Sequence, residues 1–268
     1  MFDNFLQIFH YHFMTNAMIA GTIIACLAPL IGNFVLLKRI ALISDTLAHL
    51  ALIGVAIGLI THTQPFLVTI LVTSIAAILI EKMRSQKKIS EDTILALFLP
   101  GGLAIALILV SLSGGLNANL FDYLFGSITT ISNAEIYQIA ILAMIVIGLI
   151  AIFYKQLLFS SFDEEGAKVA GLPTKWLNYL LAVLIAVTVS LSMRIVGVLL
   201  VGALMVIPSV SAMRIAQSFK ASLFWSVIFA LIAVFGGLMA AFYFNLPAGS
   251  TIVLMSLVIF ALVTARQN

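Results

Sequence analysis

Asp45 and His49 stand four residues apart at the head of an apolar run, Ser44-Asp45-Thr46-Leu47-Ala48-His49-Leu50-Ala51-Leu52-Ile53-Gly54-Val55-Ala56-Ile57-Gly58. On a helix, positions i and i+4 share a face, with Cβ atoms about 5–6 Å apart. A carboxylate and an imidazole so placed can hold one divalent cation between them, since zinc accepts both oxygen and imidazole nitrogen. The pair supplies two ligands where a permanent structural zinc site uses four. Water must complete the shell, and such partial coordination suits an ion that has to leave again. If the two dyads of a dimer met across its axis, four ligands and two negative charges would balance one dication; otherwise each dyad acts separately. A plainer reading of the same residues makes Ser44 a helix N-cap, Asp45 a first-turn acid and His49 a packing histidine bonded to a neighbouring carbonyl. Depth weighs against it. At 1.5 Å of rise per residue His49 lies about 15 Å from Arg39, near the middle of a bilayer. Ionisable groups at that depth are costly and mark pathways. Gly54 and Gly58 continue the run as a small-xxx-small face for close helix contact.

The remaining candidates carry less chemistry. His62, in Thr61-His62-Thr63-Gln64, sits at the mouth of the second apolar segment and is a possible first ligand for an arriving ion. His10 and His12 flank Tyr11 near the amino terminus, as metal-capturing groups or simply as tail residues. Asp122 and Glu135 border an aromatic segment, as solvated acids or as contacts to an external donor protein. The ten methionines are scattered through apolar stretches, where packing outweighs a soft-metal role. Cys26 is the one cysteine, so a disulfide or a thiolate cluster within one chain is excluded. No Ser/His/Asp set or catalytic carboxylate pair stands out, so no enzyme is expected.

These residues must be positioned by membrane helices. The chain of 268 residues is 63% hydrophobic and only 9% charged, against about 25% charged in soluble domains. The reading is an all-α, polytopic membrane protein, 1–268, forming a single domain with 8–9 transmembrane helices. Windows long enough to cross a core of about 30 Å fall at Thr15–Leu37, Thr46–Ile60, Phe66–Ile80, Thr93–Leu112, Ala134–Tyr154, Trp176–Met193, Ile195–Met213, Ala221–Tyr243 and Ser250–Ala265. With the N-terminus outside, the inner loops hold every Lys and Arg except Arg194. The positive-inside bias therefore predicts an outside N-terminus and a cytoplasmic C-terminus. Pro29, Pro100-Gly101-Gly102 and Pro208 interrupt apolar segments, as packing kinks or as breaks lining a cavity. The segment 119–132 reads as a short interfacial or re-entrant element rather than a free loop.

Between two spans lies Ser161-Phe162-Asp163-Glu164-Glu165-Gly166-Ala167-Lys168-Val169-Ala170-Gly171-Leu172-Pro173. Ser161 with Glu164 reads as a capping box, and Gly171 before Pro173 as a C-terminal stop. The expected helix spans about 161–171, two to three turns, too short to be stable alone. It is either an interfacial connector or a docking helix for a cytoplasmic partner, with Gly166, Ala167, Ala170 and Gly171 permitting close approach. No GxxxxGK[ST] phosphate loop occurs in the chain, so nucleotide energy would have to come from another polypeptide.

Leu42-Ile43-Ser44-Asp45-Thr46-Leu47-Ala48-His49 with Gly54-Val55-Ala56-Ile57-Gly58 resembles the permease family of bacterial zinc and manganese ABC importers. Ile89–Thr93, Tyr123-Leu124-Phe125-Gly126, Phe162–Pro173 and Val196–Pro208 follow in the family's order. The resemblance implies a plasma-membrane homodimer of permeases over two ATP-binding subunits, fed by an extracellular or periplasmic metal-binding protein, with no nucleic acid partner. It assigns Asp45 and His49 to the path of transported Zn2+ or Mn2+, with no permanently bound cofactor. It also assigns Phe162, Asp163, Glu164, Glu165, Gly166, Ala167 and Gly171 to ATPase coupling. Ser-Asp-Thr-Leu-X-His is more similar to the zinc branch; manganese members tend towards Gly-Asp-Ala-Ile-Ser-His. The rival reading is a proton-coupled carrier with Asp45 and His49 as a relay. A further one is an intramembrane enzyme using a bound metal.

Overall fold

The computed structural model describes residues 12–112, 123–126 and 132–266. Among these there are ten helices and no strand: α1 (His12–Leu37), α2 (Leu42–Ile60), α3 (Pro65–Ser85), α4 (Glu91–Leu112), α5 (Asn133–Phe162), α6 (Glu164–Val169), α7 (Thr174–Val196), α8 (Val201–Ile215), α9 (Phe219–Phe244) and α10 (Ala248–Ala265). Eight are long and apolar enough to cross a membrane, and α8 is a shorter apolar helix. Helices satisfy every backbone bond within one segment, which is the requirement hydrocarbon imposes. His10, Asp122 and most of the 119–132 segment fall outside the described residues.

Helices α1, α2 and α7 form the inside of the bundle, while α4, α5 and α10 bury less than a third of their apolar windows and face outward. Helix α2 packs between α3 and α4; α1, α8, α9 and α10 pack together, α8 meets α2, and α7 touches both groups. A Cβ at Gly54 or Gly58 would come within 2.5 Å of the Thr69 or Pro65 Cα, so α2 and α3 touch backbone to backbone there. Asn33, fully buried on α1, ties three helices together. Its Nδ2 donates to Pro29 O at 2.7 Å and to the Ser226 hydroxyl on α9 at 2.9 Å, and its Oδ1 accepts from Ser222 at 2.6 Å. On α8, the Ser209 hydroxyl donates to Pro29 O at 3.0 Å. Pro208 lies buried within α8 beside this network.

Three expectations are corrected. The apolar window 195–213 is not one helix: α7 runs on to Val196, and the chain breaks at 197–200 before α8 begins. Gly197 has φ +88°, and Val198 and Leu199 donate to the carbonyls of Tyr123 and Leu124. Hydropathy is uniform through this stretch, so only the left-handed backbone and the docked 123–126 segment, helical at 123–125, set the break. Second, Ser161 does not cap the inner helix. The preceding span α5 extends to Phe162 and buries Ser161, and Asp163 becomes the cap of α6, accepting from Gly166 N at 2.9 Å. Third, α6 has six residues rather than two to three turns. Its end is a Schellman motif: Leu172 N donates to Ala167 O, Gly171 N to Lys168 O, and Gly171 has φ +82°.

Candidate metal pathway

Helix α2 starts from a turn in which Arg39 takes φ +60°. Its N-cap position is Ala41, which offers no side-chain cap, and the Ser44 hydroxyl donates back to Ala41 O at 2.8 Å. Ser44 is therefore not the N-cap. Asp45 sits in the first turn, half-buried, with its carboxylate packed against Gly202. Gly202 is the second residue of α8, so the carboxylate lies at the N-terminal ends of two helices, where partial positive charge favours an anion. Only a residue without a side chain fits: a methyl there would stand 2.7 Å from Asp45 Cγ and 3.1 Å from Oδ2, and nearer still to Oδ1.

His49, one turn on, is also half-buried. Its Nδ1 lies 3.3 Å from the Leu99 carbonyl oxygen on α4. A carbonyl only accepts, so Nδ1–H donates, and a ring carrying its one proton there has its lone pair at Nε2. This is the arrangement that orients a metal-binding histidine. Leu99 precedes Pro100 and the two glycines. At Gly102 an added Cβ would stand 3.0 Å from the Leu50 side chain and 3.1 Å from Leu50 N, so α4 lies directly on α2 beside His49.

Asp45, His49, Ile53 and Ile57 are half-buried positions of α2 recurring every four residues, joined only by Leu59 near its end, and the residues between them are buried. Both ionisable groups thus share the one stripe of α2 that this chain leaves partly uncovered. Among the described residues no group of three or more His, Cys, Asp or Glu could hold a metal ion. The dyad is a two-ligand set. His62, exposed at φ +51° in the α2–α3 turn, is not brought to it; thirteen residues of helical rise separate it from His49 by roughly 20 Å. His12 is exposed at the start of α1.

At the opposite end from that turn, the corner of α5 and α6 presents Phe162, the last residue of α5 (78% exposed), and Val169 at the end of α6 (89% exposed), on either side of buried Ala167. Glu164 pairs with Lys168 at 2.8 Å, and Glu165 lies 3.7 Å from Lys87. Burial pushes the Glu164 carboxyl up, but hydrogen bonds from Lys168 and Asn178 and the nearby Lys38 charge outweigh it and hold it below the ordinary range. Burial lowers Lys38.

Several working residues carried no signal of their own in the sequence. Gly202 and the Leu99 carbonyl belong to distant segments that only the packing brings to α2. Glu135 is not a solvated acid: it completes a capping box with Ser132 and pairs with Arg194, whose Nε donates to Oε1 at 3.0 Å. The arginine also lies over the Tyr123 ring, 4.9 Å from its centroid. That Ser-x-x-Glu pattern was legible at 132–135 and stands there rather than at 161–164.

A bundle of helices long and apolar enough to cross a membrane, with a half-buried carboxylate and imidazole on one stripe of α2, defines a polytopic membrane protein. The model of the ABC 3 transport family matches residues 10–267, and the chain belongs to that family. It is 29% identical over 252 residues to the high-affinity zinc uptake system membrane protein ZnuB of Haemophilus influenzae, covering 94% of this chain and 97% of that one. It is 32% identical over 261 residues to the manganese import system permease protein ScaB of Streptococcus gordonii, covering 97% and 94%. The solved structure of PsaBC from Streptococcus pneumoniae in complex with Fab superposes with a TM-score of 0.89 at 32% identity, covering 98% of this chain and 95% of that one.

Proposed function

We propose that this chain is the permease subunit of an ATP-driven importer of divalent transition-metal ions, zinc favoured over manganese. In this reading residues 1–268 form one transmembrane domain, the N-terminus lies outside and the C-terminus in the cytoplasm. Two copies pair over two ATP-binding subunits, and an external metal-binding protein delivers the ion. One observation carries the proposal: Asp45 and His49 lie on the single partly uncovered stripe of α2, with His49 held so that Nε2 is free. A carboxylate facing lipid is expensive, so a second copy covering this stripe accounts for its place. It would also bring a second dyad within reach of the same ion.

The family supports an ATP-driven mechanism over a proton-coupled carrier. Relatives are named for both metals, and the lean to zinc rests on Ser44-Asp45-Thr46-Leu47-Ala48-His49. Helix α6, capped at both ends and flanked by exposed Phe162 and Val169, is the element proposed to meet the ATPase. The positive-inside bias supports placing it in the cytoplasm. Proteoliposomes holding the assembled importer provide the test. They should take up radiolabelled zinc only with ATP and the external binding protein, and zinc should compete better than manganese. Uptake driven by a pH gradient without ATP would overturn the reading.

A further inference from the structure

A cavity of about 490 Å³ opens beside α6, lined by the C-terminal end of α1, the ends of α3 and α5, and the starts of α4 and α6. Other buried hydroxyls in this bundle have a partner, most often a carbonyl four residues back, as Thr73, Thr188, Ser190, Ser192 and Ser256 do. Ser160 and Ser161 do not. They are 2% and 7% exposed, they line the cavity, and neither hydroxyl has a partner. Arg84, on the same wall, keeps its Nε–H unpartnered while its two terminal nitrogens hold Glu81 and Glu91. A buried donor left unmade is costly, and these three sit behind the wall of one cavity, shielded from solvent.

The charge of the walls says what would fill it. Glu91 is held by Arg84 and Glu164 by Lys168. Lys38 donates to the amide oxygen of Asn178. Arg39, exposed in the α1–α2 turn, makes no ion pair among the described residues. The acids of the cavity are thus engaged by their own cations, while Lys38 and Arg39 have no carboxylate. The occupant is a hydrogen-bond acceptor with negative charge.

We propose that this cavity is a second socket for the ATP-binding subunit, taking an acidic side chain of that subunit at Arg39, with the shielded donors of Arg84, Ser160 and Ser161 reached as it enters. The inference rests on the reading of α6 as the ATPase-docking element and extends the contact to the α1–α2 turn, which leads directly into Asp45. Closing the socket would pull on the start of α2, coupling the ATPase to the dyad by a path that begins beside α6 and runs through the α1–α2 turn.

The test uses the full-length permease and its cognate ATP-binding subunit, purified together and titrated in detergent. Arg39→Glu should weaken subunit binding at least tenfold, and Ser160→Ala/Ser161→Ala about tenfold, while the melting temperature of the permease alone stays unchanged. A photoreactive benzoylphenylalanine in place of Arg39 should cross-link to an acidic segment of the ATP-binding subunit. Binding within twofold of native for both variants, or cross-linking to lipid instead, overturns the socket. Were the native permease to bind no ATP-binding subunit, the reading of α6 would fail with it. Were Glu165→Lys on α6 to weaken binding while the cavity variants do not, the socket alone would fail.

Discussion

Gly202→Ala separates the position of the Asp45 carboxylate from its presence. The added methyl would stand 2.7 Å from Asp45 Cγ and nearer still to Oδ1, where ordinary contact begins at 3.4 Å, so the carboxylate must retreat by more than the roughly 0.7 Å that the Cγ contact alone requires. Overpacking a rigid core costs about 1–3 kcal/mol, but the atoms struck here are the tip of a half-buried side chain that can swing aside. The fold should therefore melt near its native temperature. Metal coordination is less forgiving, because ligand distances must hold to about 0.2 Å. Displacing an orienting contact of a ligand costs about 10–100-fold in affinity or activity. The assay is the initial rate of zinc uptake by proteoliposomes containing Gly202→Ala, Asp45→Ala and the double variant. Gly202→Ala should lose about 10–100-fold, and in the Asp45→Ala background it should add nothing, since interacting neighbours are non-additive. Native uptake by Gly202→Ala, or a further loss of the same size in the double variant, would refute the claim that Gly202 acts by placing Asp45.

Three other outcomes follow from the same geometry. Asn33→Ala removes donors to Pro29 O and Ser226 and the acceptor of Ser222, and should cost about 2–4 kcal/mol by calorimetry through cavity formation and unpaired hydroxyls. Gly197→Ala forces a side chain into φ +88° with its Cβ 2.5 Å from Gly126 N; strain and overlap together should cost about 3 kcal/mol, read as a lowered melting temperature. Glu164 is held below its ordinary value of 4.5. Its contribution to α6 is therefore present above that value and lost as pH falls through the depressed one. Amide exchange at 164–170, corrected for intrinsic rates, should stay flat from neutral pH down to that value and rise only below it; a rise already near neutrality would contradict this.

The parts legible in the sequence were those written in local pattern. Long apolar windows announced the spans, and the i, i+4 spacing put Asp45 and His49 on one face because helical geometry requires it. Gly171 before Pro173 announced the end of α6 for the same reason. What was not legible depends on segments meeting across the bundle. Nothing around Val201-Gly202 says that Asp45 will lie on it, and nothing in Leu99-Pro100 says that a carbonyl there will fix the tautomer of His49. The capping residue of α6 was misassigned because Ser161 and Asp163 both suit the role, and the choice depends on how far α5 continues. Glu135 and Arg194 looked like separate oddities, an acid near an aromatic stretch and the one basic residue outside the positive-inside pattern. Packing of α5 against α7 turns them into one ion pair.

If Asp45 and His49 hold the ion in transit, zinc uptake must depend on both, which Asp45→Ala and His49→Ala measure. Each variant, assembled to native levels with the ATP-binding subunit, should transport at background while ATP hydrolysis and subunit association persist. Near-native uptake by both would remove the dyad from the pathway.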